Sequence, residues 1–121
     1  MSISVLIQSL GRPSLERTLR SIEQQGLEPG DEVLVIGDRH QDLPSNLRDR
    51  VLSRGPHMRY FEHDAGFSHY GCPQVDYAMQ FARGDYLLNQ SDDDIYTPGA
   101  FARIRAQIAA LPEPRPILFR F

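Results

Sequence analysis

Three carboxylates stand in a row at Asp92, Asp93 and Asp94, in the stretch "NQSDDDIYTPG" that follows the apolar run "GDYLL". Adjacent unit charges about 5 Å apart repel by roughly 3 kcal/mol per pair at an effective dielectric near 20. A solvated turn ahead of a helix is one way to carry them, because the helix dipole favours negative charge by about 0.3–1 kcal/mol. A divalent cation is another, since it reverses the sign of the repulsion. All-oxygen acidic ligands suit hard cations such as Mg2+ or Mn2+, which keep several waters and share their remaining positions with phosphate oxygens. The spacing does not fit an EF-hand loop, for no glycine or distal glutamate falls at the required offsets. A GxGxxG turn and a P-loop are both missing. A diphosphate held by metal and carboxylate is the chemistry that remains.

The elements that must position these aspartates alternate between two hydrophobic periods. "ISVLIQSL", "DEVLVIGD", "MRYFEH" and "DYLLNQS" read as strands, the first two apolar enough to be buried on both faces. "SLERTLRSIEQQG" reads as a helix with Leu15, Leu19 and Ile22 on one face, Pro13 near its start and Gly26 at its end. "SNLRDRVLSRG" is a short helix with Ser45 as N-cap, and "CPQVDYAMQFARG" one with Val75, Ala78, Met79 and Ala82 on a common face. "TPGAFARIRAQIAAL" starts a fourth helix at Thr97 as cap, with Phe101, Ile104, Ile108 and Leu111 inward and Arg103 and Arg105 on its solvated face. "RPILFRF" reads as a fifth strand.

Strands and helices in this order predict an α/β fold, a mostly parallel sheet with helices on both faces. Ligands of such sheets bind beyond the carboxyl ends of the strands, where Ser9 to Arg12, Gly37 to His40, His63 to Gly71 and Ser91 to Tyr96 fall. The expected unit is one domain over residues 1–121, since that length supports a single core. The net charge of −3 gives no basic footprint, so nucleic acid is not the expected partner. One cysteine, Cys72, forms no internal disulfide, and no Cys/His spacing matches a zinc site. The absence of an eighteen-residue apolar run and of a signal-like start predicts no transmembrane segment and a cytoplasmic location. An apolar last strand leaves room for a homodimer that covers a sheet edge. The four histidines are expected in ordinary loop or surface roles, and Tyr77 and Phe81 in core packing.

The segments "SVLIQSLGRPSLERTLRSI", "VLVIGD", "GFSHYGCPQVDYAMQFARGDYLL" and "SDDDIYTPGAF" together resemble the nucleotide-sugar-binding half of glycosyltransferase family 2, the GT-A fold. The resemblance runs in the family's order over nearly the whole chain. It implies a Rossmann-like sheet, here incomplete, with an acidic motif (DXD type) after the fourth strand that binds Mn2+ or Mg2+ and the donor. On that reading Asp93 and Asp94 lie nearest the metal, and Asp92 and Asp93 near the sugar-nucleotide. Ser9, Gly11 and Arg12 wrap the nucleoside, and Asp38 reads the base edge. Gly66, Tyr70 and Gly71 shape the pocket floor, and Asp76 sits where the family often has asparagine facing the donor.

The pattern also departs from the family. Ser91 stands where many members have the motif's first aspartate, Gly37 replaces an acidic residue, and Val75 stands in place of an arginine or lysine. The second half, which carries the acceptor site and the general base, is absent, and no residue here is assigned as that base. The implied reaction is metal-dependent transfer of a sugar from a nucleotide-diphosphate sugar to a hydroxyl acceptor. Two alternatives stay open: a non-catalytic nucleotide-sugar-binding or interaction module, and a nucleotidyltransferase on a similar sheet.

Overall fold

A computed structural model describes residues 1–66 and 71–117. Four strands, β1 (Ile3–Ser9), β2 (Glu32–Asp38), β3 (Met58–His63) and β4 (Tyr86–Ser91), form one parallel sheet in the order β3-β2-β1-β4. Between and after them lie α1 (Ser14–Glu23), α2 (Leu47–Leu52), α3 (Cys72–Met79) and α4 (Ala100–Ala109). This is the α/β architecture the alternating periods predict.

Side chains alternate across each strand and so divide the core in two. Ile3, Val5 and Ile7 of β1 and Val33 and Val35 of β2 pack with Leu15, Leu19 and Ile22 of α1, Leu47 and Val51 of α2, and Phe101, Ile104 and Ile108 of α4. On the opposite face Leu6, Leu34 and Ile36 meet Ala78 of α3. Helices therefore cover both faces, and β1 and β2 are almost wholly buried, as their continuous apolar runs require. β3 and β4 are the edges and show more exposure.

Several local expectations shift. Gly99 takes φ 78, which no helix accepts, so α4 begins at Ala100 and not at Thr97. α2 begins at Leu47, so its cap position falls at Asn46, one residue beyond the expected Ser45, and makes no side-chain cap bond. Met79, expected to face inward, is 51% exposed, while Gln74 is fully buried beside Ala78. Phe81, expected in core packing, is still 36% exposed, although it stacks on Phe61. No strand forms over 115–117, and the remainder of the expected fifth strand, 118–121, lies outside the described residues. No helix among the described residues is long and apolar enough to cross a membrane.

The amino ends of the strands are tied by buried charge. Asp31 accepts from the Ile3 and Glu28 amides and pairs with Arg105, which also donates to the Met1 carbonyl. Arg105 is thus a clamp between α4 and the sheet and does not lie on the solvated face expected for it. Glu32 accepts from the Ser4 hydroxyl, the Arg83 amide and Arg59. Burial alone would push the Glu32 carboxyl up, but those donors outweigh it and the net shift is downward.

A carboxylate held below its unfolded value adds stability that is complete above the ordinary carboxylate range and is lost as pH falls through the folded value. Glu32→Ala is therefore expected to lower stability at pH 7 by roughly 3 kcal/mol. Its deficit against the parent chain should narrow in acid. Urea denaturation at pH 7 and pH 3 measures both, and a deficit of equal size at the two values would assign the loss to packing instead.

Candidate functional site

The strand succession reverses at β1, with β2 and β3 on one side and β4 on the other, and parallel sheets place ligands beyond the carboxyl ends at such a reversal. The residue that leaves β4 is Asp92, 3% exposed, and its carboxylate turns back toward the end of β1. Oδ2 accepts from the Ser9 hydroxyl at 3.0 Å and from the Leu10 amide at 3.2 Å, while the Arg12 guanidinium donates to Oδ1. Ser9 Oγ in turn accepts from the Gly11 amide at 2.9 Å. Gly11 takes φ 72, and a Cβ there would come within 2.5 Å of the Pro44 ring, so the turn that brings Arg12 to Asp92 needs glycine. Ser9, Gly11, Arg12 and Asp92 are thus brought together as one hydrogen-bonded unit. Arg12's pKa is raised, first by the hydrogen bond to Asp92 and then by its charge.

Asp93 and Asp94 are exposed. Arg12 stands 3.5 Å from Asp93 Oδ2. The backbone carbonyl of Asp94 accepts from the Thr18 hydroxyl at 2.7 Å. Further along, the Ser21 hydroxyl accepts from the Tyr96 amide while donating to the Thr18 carbonyl, and the Gln25 amide donates to the Thr97 carbonyl and accepts from the Phe101 amide. Thr18 and Ser21 of α1 and Gln25 just past its end therefore staple the segment after the aspartates to that helix. Their signal in the sequence is small: Thr18 and Ser21 are polar residues set within the apolar stripe of Leu15, Leu19 and Ile22. Tyr96 packs edge-on against Phe101, and burial, helped by the charge of Asp94, pushes its hydroxyl up to about 12.

The other expected positions are not bonded into this unit. Asp38 ends β2, is 5% exposed and accepts from the His40 amide. At its neighbour Gly37 a Cβ would lie 2.7 Å from both Leu43 and the Tyr60 hydroxyl, so a larger residue there requires those side-chain ends to shift. Gly66 follows β3 with φ 74 and donates to Asp64. Gly71 precedes α3 with φ 79, and its Cα faces Gln8 so closely that a Cβ would fall within 2.1 Å. Asp76 is exposed on α3, and Tyr70 lies outside the described residues. Near the same rim Gln8 Oε1, Gln74 Oε1 and His63 Nδ1 are buried without a hydrogen-bond partner among the described residues, and His63 stacks on Tyr77.

Hard cations are often held by one or two carboxylates together with substrate phosphates and water. Asp93 and Asp94 fit that donor set by type and exposure. No cluster of three or more metal-ligating side chains occurs among the described residues.

The comparisons with known proteins agree with this architecture. The sequence profile described as glycosyl transferase family 2 matches residues 4–113. No curated protein sequence matches the chain. Among solved structures, S. aureus TarS 1–349 superposes with a TM-score of 0.75 at 17% identity, over 90% of this chain and 32% of that one. The same TarS fragment in complex with UDP-GlcNAc gives 0.72 at 18%, over 90% and 31%. The mannosyltransferase PcManGT from Pyrobaculum calidifontis, in complex with GDP-Man and Mn2+, gives 0.70 at 15%, over 91% and 32%. Such identities speak for the shared fold, and the chain spans about a third of each of these structures. The profile match extends over most of the sequence, and the chain belongs to glycosyl transferase family 2.

Proposed function

We propose that this chain is the donor-binding part of a metal-dependent glycosyltransferase that moves a sugar from a nucleotide-diphosphate sugar to a hydroxyl acceptor. The observation that carries the reading is the division of labour among the three aspartates. Asp92 is consumed inside the fold, which leaves Asp93 and Asp94 exposed at the carboxyl rim where the strand order reverses. Family membership and the nucleotide sugars bound by TarS and PcManGT support the donor class. The Mn2+ of PcManGT supports a divalent cation.

Asp93 and Asp94 are the groups that would hold Mn2+ or Mg2+, and a bound cation would supply Lewis-acid stabilisation of negative charge on the leaving diphosphate. Ser9, Gly11 and Arg12 form the wall beside the nucleoside, with Asp38 at the next strand end assigned to read the base. Asp92 fixes that wall relative to the exposed pair, so the donor meets a preorganised edge and not two independent loops. Gly66, Tyr70 and Gly71 are assigned to the pocket floor, and Asp76 to the donor's side of α3. The acceptor and its general base are assigned to chain outside these residues.

Calorimetry with UDP, GDP and their sugars, with and without Mn2+, tests the reading. Metal-dependent binding is expected in the parent chain, with Asp93→Ala and Asp94→Ala each weakening it by about tenfold or more, as loss of a charged ligand implies. Affinity that is unchanged in both variants would count against donor binding through these side chains. Asp92→Asn is expected to act differently. It should lower stability by about 2 kcal/mol, because a charge-assisted bond to Arg12 is lost. Thermal melts and the same titrations separate the two roles: an Asp92→Asn chain as stable as the parent would remove Asp92 from the anchoring role.

A further inference from the structure

Among the described residues, Arg12 alone supplies positive charge to the acidic triad through an ion pair. Its Nη2 donates to Asp92 Oδ1 and stands 3.5 Å from Asp93 Oδ2. One side chain therefore neutralises the buried carboxylate and also touches the first of the exposed ones. Its anchor is well buried, with the Asp92 side chain 4% exposed, whereas Arg12 and Asp93 are 48% and 51% exposed and their attraction is screened by water. A guanidinium stays charged and carries five N–H donors in a fork that matches phosphate oxygens as well as carboxylates. Both of these contacts use Nη2, so Nε and Nη1 are not engaged in them.

We propose that Arg12 is a built-in counter-ion that competes with the divalent cation for Asp93 and yields that carboxylate when a diphosphate arrives, making nucleotide and metal bind cooperatively. The inference rests on the donor-binding reading of this rim. Two cations drawn to one carboxylate repel each other, so metal meets an unfavourable neighbour while Arg12 leans on Asp93. A diphosphate offers Nε and Nη1 acceptors and draws the guanidinium toward itself. Through that change Asp92 Oδ2 keeps the Ser9 hydroxyl and the Leu10 amide, and Oδ1 keeps its bond to Arg12 Nη2 while the rest of the guanidinium turns from Asp93. Linkage then makes the effect reciprocal: whatever factor nucleotide adds to metal affinity, metal adds to nucleotide affinity.

Electron paramagnetic resonance of free Mn2+ tests this on the whole chain, alone and with saturating UDP or GDP, in the parent, Arg12→Gln and Arg12→Lys. The parent is expected to bind Mn2+ weakly alone and more tightly with nucleotide. Arg12→Gln should bind Mn2+ alone roughly three- to tenfold more tightly, a range set by one screened charge. Nucleotide should then add little, and the gain should shrink at high salt. Arg12→Lys keeps the charge and should stay near the parent. If Arg12→Gln does not fold by thermal melt, Arg12→Met, which retains the apolar stem, is read in the same way. Mn2+ binding in the neutral variant that equals or falls below the parent's overturns the competition, while donor binding stands if it still depends on Mn2+ and Asp93. A parent chain that shows no Mn2+-dependent nucleotide binding overturns the donor reading and this inference together.

Discussion

The carboxylate of Asp92, buried where β4 gives way to the next loop, is the constraint on which the rest of the rim depends. A buried, ionised group must be met by donors or it costs several kcal/mol. Here the Ser9 hydroxyl, the Leu10 amide and Arg12 meet it. Each of those donors comes from the end of β1 or the turn after it, so one side chain fixes the exit paths of two adjacent parallel strands. The glycine at position 11 answers the same demand, because only a left-handed residue without a Cβ passes Pro44 and still brings Arg12 back to Asp92. Beyond Asp92 the chain is held by a second set of bonds, from Thr18 and Ser21 of α1 and from Gln25 just past its end. The acidic segment is thus pinned on both sides while two of its carboxylates face outward.

Much of this is legible in the sequence. The unbroken apolar runs of β1 and β2 announce strands covered on both faces, and the order of elements leads to a parallel sheet with the aspartates at its carboxyl rim. Helix beginnings are less legible, because Thr97-Pro98 and Ser45 carry capping chemistry that a left-handed Gly99 and a later start at Leu47 override. Three adjacent aspartates also look alike on paper. Which one turns inward depends on where β4 stops, and that is a matter of register with β1, where Ser91 pairs with Gln8. Arg105 escapes pattern reading for a related reason: helical periodicity puts it on a solvated face, but its long side chain reaches Asp31 at the sheet's amino end. The staples from α1 are invisible since small polar residues in an apolar stripe show no periodicity of their own.

The two ends of the sheet handle charge in opposite ways, and that contrast sets the carboxyl rim apart. At the amino end each buried carboxylate has its own cation and backbone donors: Asp31 has Arg105, and Glu32 has Arg59. Both buried carboxylates are thereby neutralised, and the result is a clamp. At the carboxyl end two of the three neighbouring carboxylates, Asp92 and Asp93, share Arg12, which is committed mostly to the buried one, and Asp94 has no ion-pair partner among the described residues. Backbone amides and hydroxyls help to satisfy Asp92, and among the described residues none donates to the Asp93 or Asp94 carboxylates. A fold of this size could have distributed its acidic residues evenly at less electrostatic cost. Concentrating them where the sheet's strand order reverses leaves two exposed carboxylates there with less compensating charge than the buried ones at the amino end.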